Sequence, residues 1–173
     1  MPEVFILSIP PAALLFAAHR DITTMTIPNW LSIVLVAAFP IAALGLGQPA
    51  AVIGWHLAFG LVLFAAGAGL FSLGMMGGGD VKIIAAAGVW MGAAVGFTFL
   101  VWTAVAGGVL ALVVYAARRA AGRFFGDGRL AEPDWVCRLM KGGEGVPYAV
   151  AIAVGGIMAW PQSPIAQAAL KLA

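Results

Sequence analysis

The chain has 173 residues, of which 63% are hydrophobic and only 9% charged. Soluble domains carry about 45–50% apolar and about 25% charged residues, so this composition excludes an ordinary soluble domain and indicates an integral membrane protein. The net charge of +2 is small and the single cysteine, Cys137, leaves no intramolecular disulfide and no Cys-x-x-Cys zinc site. His19 and His56 are not spaced as a metal pair, and neither a cofactor nor a nucleic-acid partner is expected. The apolar runs are continuous and do not alternate, which points to helices and not to a barrel. The expected fold is all-α: one polytopic membrane bundle over 1–173, with about six transmembrane helices.

In chain order, Val4 to Ala18 is the first apolar run, kinked by Pro10-Pro11. Glu3 is the only early charge, and Arg20 follows the run; a cleaved signal peptide has the opposite arrangement. Trp30 to Leu46 forms the second run, Gly47-Gln48-Pro49 a short turn, and Val52 to Leu73 the third run. The 35 residues from Ile83 to Ala117 carry no formal charge. As one helix they would extend about 52 Å, too far for a hydrocarbon core of about 30 Å. A turn near Gly92 to Gly96 is therefore predicted, with a short fourth helix starting at Asp80 and a fifth ending at Ala117. Residues 118–145 form a polar, basic loop, which is expected to meet anionic lipid. Val146 to Trp160 is the sixth run, and the tail from Pro161 is weakly amphipathic.

Loops on one side hold Arg20, Lys82, Arg118, Arg119, Arg123, Arg129, Arg138 and Lys141; the other side holds only Lys171. The positive-inside rule makes the first side cytoplasmic and puts both chain ends outside. Trp90, Trp102 and Trp160 read as span anchors. His19 and His56 read as interfacial or packed, and Cys137 as inert in a surface-lying segment with Trp135 and Leu139.

Two acids stand apart from the rest. Asp21 ends the first helix and Asp80 starts the fourth, so topology places both on the same face. A carboxylate at the edge of a lipid-buried helix invites a functional explanation. Asp80 follows Gly77-Gly78-Gly79, which removes side chains from the backbone leading to it and lets another segment approach. Carboxylates at close range share a proton and titrate as a unit. The ionised member can take a proton from water while the other donates to a scissile carbonyl. The residues alone leave three readings open: a protease dyad, a small proton- or ion-coupled transporter, or a non-catalytic scaffold packed through its glycines. Lys82 reads as a snorkelling charge or a modulator of the acid, and Pro28 and Asn29 as the start and cap of the second helix.

The local contexts of the two acids narrow the choice. Asp21 precedes Ile27-Pro28-Asn29, and Asp80 lies in Gly77-Gly78-Gly79-Asp80-Val81-Lys82. This resembles the type IV prepilin peptidases, GxGD aspartic proteases that pair an Asp before I-P-N with G-x-G-D-x-K. Val146-Pro147-Tyr148-Ala149 resembles the opening of that family's last span. The resemblance implies catalytic roles for Asp21 and Asp80, with Gly77, Gly79, Lys82, Pro28 and Asn29 in support. It implies a prepilin or pseudopilin substrate cut at the cytoplasmic face of a bacterial inner membrane, next to the pilus assembly machinery. No cysteine tetrad is present, so the chain is similar to the short CpaA/TadV kind linked to Flp/Tad pili, and methyltransferase activity is not expected. Thr23, Thr24 and Thr26 fill a stretch that often holds a basic residue in the family.

Overall fold

The computed structural model describes residues 2–124, 134–140 and 145–172, and the described residues are overwhelmingly helical, without a strand. Helices run in the order α1 (Pro2–Thr24), α2 (Asn29–Gly45), α3 (Ala50–Ser72), α4 (Gly78–Phe124), α5 (Asp134–Met140), α6 (Ala149–Ala159) and α7 (Pro164–Leu172), with a 3-10 turn over Trp160–Gln162. Much of the loop expected at 118–145, including Arg129 and Lys141, lies outside the described residues.

Three stretches are long and apolar enough to cross a membrane: Phe5–Thr24, Ala50–Ser72 and Gly78–Ala120. The bent pair formed by α6 and α7 would add a fourth, and α2 is apolar but shorter. The stretch in α4 is long enough for two crossings. Gly92 interrupts it at φ 67, ψ 170, a conformation essentially confined to glycine. Asp80 in the first arm and Gly107 in the second would be about 40 Å apart on a straight helix. Tyr148 nevertheless lines a cavity with Asp80 and lies against Gly107, so α4 folds back on itself at Gly92. The bundle then has the expected six apolar segments, with the turn inside the predicted window. The second arm runs past Ala117 to Phe124.

Glycines bring the helices together. A Cβ at Gly60 would collide with Val89, and one at Gly67 would lie 2.9 Å from Val81 Cγ1, which seats α3 on the first arm of α4. Gly155 does the same for α6 against Thr103 and Phe99 of the second arm. Small residues at contact points are how membrane helices approach closely. Large apolar side chains cover the outside, among them Phe97 (79% exposed) and Leu112 (70%), as expected for a surface that faces acyl chains.

The interior follows from how interrupted helices satisfy their backbone. Pro11 has no N–H to give to Leu7, four residues back, and the Trp160 indole donates to the Leu7 carbonyl at 3.0 Å. The break at Gly92 likewise frees the Val89 carbonyl, and His56 Nδ1 donates to it at 2.8 Å. Trp90 donates to the Leu35 carbonyl at 2.8 Å, one turn before Pro40 in α2. Trp90, Phe39, His56 and Trp160 form one aromatic chain: Phe39 stacks on His56, and Trp90 meets Phe39 and Trp160 edge-on. Trp90 and Trp160 are therefore buried donors, not the span anchors that hydropathy suggests; Trp102 is partly exposed. His56 is packed and His19 is exposed.

We expect Trp160→Phe to cost about 1–3 kcal/mol, because it leaves the part-buried Leu7 carbonyl without its donor. Trp102→Phe should stay within about 0.5 kcal/mol. Thermal unfolding of both variants in one detergent makes the comparison. The tail also differs from expectation. α7 is a two-faced helix that buries Ile165, Ala166 and Ala169 against the bundle.

Candidate active site

α1 ends in a turn whose carbonyls are taken by threonines. Thr23 Oγ1 donates to the His19 carbonyl (2.8 Å) and Thr24 Oγ1 to that of Arg20 (2.7 Å). Met25 then adopts a left-handed φ of 50, uncommon outside glycine, and the chain reverses toward α2. Asp21, one turn back from Met25, is 7% exposed. Its Oδ2 accepts a 2.9 Å hydrogen bond from the Ala149 N–H, the first residue of α6. A carboxylate is well placed at a helix N-terminus, where free N–H groups and the helix dipole favour negative charge.

Asp80 occupies the first turn of α4 and is half-buried, with the Gly77 amide hydrogen-bonded to its carboxylate. α3 ends just before it in a Schellman turn. Gly74 takes φ 70 so that the Met75 N–H reaches the Leu70 carbonyl at 3.0 Å. The glycines ahead of Asp80 have separate tasks. A Cβ at Gly77 would lie 2.9 Å from Asp80 Oδ2, in the space the acid occupies. A Cβ at Gly79 would lie 3.3 Å from Ile27 Cβ. Gly79 thus lets the start of α4 close onto the segment between α1 and α2, and this brings the surroundings of the two acids together.

Asp21 and Asp80 line two adjoining cavities. The larger, about 750 Å³, is completed by Met25, Met75, Met76, Gly145, Val146 and Tyr148. The smaller, about 270 Å³, reaches past Thr26, Ile27 and Asn29 along Gly77 to Gly79. The two acids lie close enough for the charge of Asp21 to act on Asp80. Burial, and then the charge of Asp80, push the Tyr148 phenol above its ordinary value. Arg118 ties the neighbouring chain to α4, donating to the carbonyls of Leu139 and Gly145 at 2.9 and 3.0 Å.

The supporting residues are also drawn together. Lys82 Nζ donates to Asn29 Oδ1 at 2.7 Å, across 53 residues of sequence. Pro28, extended at φ −68, ψ 135, precedes α2, and no side chain caps that helix. Asn29 is thus the first helical residue and not the cap. Its oxygen accepts from Lys82 instead of capping the helix. A double-mutant cycle of Lys82→Met and Asn29→Leu should give a coupling of about 1 kcal/mol in thermal unfolding.

Sequence reading missed Met25, Met75 and Met76, and it used Tyr148 and Ala149 only as a likeness to a last span. The left-handed turn at Met25 has no signal in the residue type. Among the described residues, no group of three or more His, Cys, Asp or Glu comes together that could hold a metal ion. The profile of the Type IV leader peptidase family matches residues 8–112, a stretch that includes both acids, the glycine segment, Asn29 and Lys82. No curated protein and no solved structure matches the chain.

Proposed function

The chain belongs to the type IV leader peptidase family, and from that premise we propose that it is a membrane aspartic endopeptidase with Asp21 and Asp80 as its catalytic dyad. The substrate is a prepilin or pseudopilin, cut at the cytoplasmic face of the inner membrane between a short leader and the apolar helix that follows. No methyl transfer accompanies the cut. Family membership favours this reading over a transporter that uses the same acids.

The observation that carries it is the convergence of Asp21 and Asp80 on one cavity from positions 59 apart in sequence. A carboxyl pair that shares one proton supplies both roles needed for peptide hydrolysis. The ionised member takes a proton from water as the water oxygen bonds to the scissile carbonyl carbon. The protonated member gives its proton to the carbonyl oxygen. The tetrahedral intermediate then collapses, the C–N bond breaks, and the new amine leaves with a proton returned by the dyad. Gly77 to Gly79 supply a side-chain-free wall along which an extended substrate backbone fits. Orientation is supported by the basic residues at this end of the bundle: Arg20 beside Asp21, Lys82 beside Asp80, and Arg118 bonded to Gly145 at the cavity rim. The pilus assembly machinery and anionic lipid are the partners this orientation offers. Co-expression with a candidate prepilin tests the proposal. A shortened pilin band is expected, and a precursor that stays full-length contradicts it.

A further inference from the structure

A third cavity, about 690 Å³, opens between α2, α3 and the first arm of α4. Although α2 and α3 are consecutive, they scarcely touch, and each leans on α4 instead. The gap between them is a groove walled by exposed apolar side chains, Ile33, Val36 and Leu61 among them, over a floor of Gly60, Ala85 and Ala86. It runs at least from Asn29 to Ala37, about 12 Å along the helix axis. Asn29 also lines the smaller cavity that holds both acids, so groove and acid site adjoin at this residue.

One feature separates the possible occupants. Ser32 is 7% exposed and lines the groove, yet its hydroxyl has no hydrogen-bond partner among the described residues. A buried hydroxyl left unpaired is costly, and a lipid acyl chain offers it nothing. The first turn of a peptide helix offers backbone N–H groups that no intrahelical carbonyl satisfies. Ser32 and Asn29, three residues apart, both line the groove, and each carries a side-chain oxygen able to accept from such groups. The small-residue floor allows the close approach on which helix association in a membrane depends.

We infer that this groove seats the opening turns of the substrate's apolar helix, immediately after the scissile bond, with Ser32 and Asn29 receiving its free N–H groups. The inference rests on the peptidase reading and adds the docking face: substrate enters from the lipid between α2 and α3. Lys82, hydrogen-bonded to Asn29 at the junction, positions that acceptor.

Photo-cross-linking tests it. A benzoylphenylalanine is placed at Val36 or Leu61 in the groove, or at Leu112 or Phe97 on exposed surface outside it, and each protein is co-expressed with the candidate prepilin. Cross-links to the pilin from Val36 and Leu61, and none from Leu112 or Phe97, are expected. Shortened pilin without groove cross-links, or with equal cross-links at all four positions, overturns the docking face while the peptidase reading stands. An uncleaved precursor in every case overturns both. In proteoliposomes, Ala37→Phe, which fills the groove, should raise KM about tenfold, equivalent to 1.4 kcal/mol of binding, with kcat nearly unchanged. Ala111→Phe, also on an exposed face, should leave KM as it is. Equal KM values for the two variants would count against the groove.

Discussion

Asp21→Asn and Asp80→Asn each stop cleavage of a co-expressed prepilin while the protein still accumulates in the membrane. The expected loss is about a hundred- to ten-thousandfold for each, the range for removing a positioned acid or base. The fold should tolerate both changes. Asparagine keeps the shape of aspartate, and its carbonyl oxygen at position 21 can still accept the Ala149 N–H that Asp21 Oδ2 accepts at 2.9 Å. Asp21→Ala is a different experiment. It strands a buried amide and should cost about 1–3 kcal/mol of stability, so lost activity there would mix folding with chemistry. Two acids that act as one unit are also non-additive. The double variant Asp21→Asn/Asp80→Asn should therefore be no less active than either single one. Quantifying mature and precursor pilin on one gel, with membrane protein levels as control, reads all three outcomes. Substantial cleavage by either single variant would remove that residue from the chemistry.

Gly92→Val has the largest expected effect on folding. Its backbone, at φ 67 and ψ 170, lies where side chains are not tolerated, at about 1–3 kcal/mol. A Cβ there would also lie 2.5 Å from His56 Cε1 and 2.7 Å from Nε2. The ring cannot withdraw cheaply, because it is stacked on Phe39 and hydrogen-bonded to the Val89 carbonyl. Overpacking of this kind adds about 1–3 kcal/mol. The two costs together exceed what one substitution normally removes, and Gly92→Val should yield little monodisperse protein in detergent. Gly92→Ala should be milder and separates the two causes. Adding His56→Ala relieves the collision but not the backbone strain, so Gly92→Ala/His56→Ala should recover less than the full deficit relative to His56→Ala alone. Complete recovery would mean that the backbone conformation at Gly92 carries no cost.

The sequence made some of this legible for definite reasons. Charges inside apolar text are conspicuous, so Asp21 and Asp80 stand out, and the even number of crossings between them puts both at one end. The turn near Gly92 is forced by length, since 35 uncharged residues cannot cross a bilayer once as a single helix. The glycines before Asp80 mark a close approach, although what approaches is Asp80's own carboxylate at Gly77 and Ile27 at Gly79. What stayed hidden depends on contacts between distant segments. The third partner of the acid site is a backbone amide 128 residues from Asp21, and any residue but proline could supply it. The Lys82–Asn29 bond joins two side chains that each had an adequate local explanation. Trp90 and Trp160 follow the composition rule for interfacial anchors, but carbonyls near helix breaks and prolines compete for their N–H groups and hold them inside. The tail looked weakly amphipathic because alanines form much of its buried face.

Asp21 and Asp80 line a single cavity, and the proposed chemistry requires both carboxylates to be reached from one side of the membrane. Paired cysteines at positions 21 and 80, with Cys137→Ser to remove the native thiol, address this requirement directly in sealed membranes treated with a short bifunctional thiol reagent. An intramolecular cross-link is expected in the double-cysteine protein and none in either single-cysteine control. Thiols modified only from opposite faces of the membrane, with no cross-link formed, would contradict the proposed chemistry.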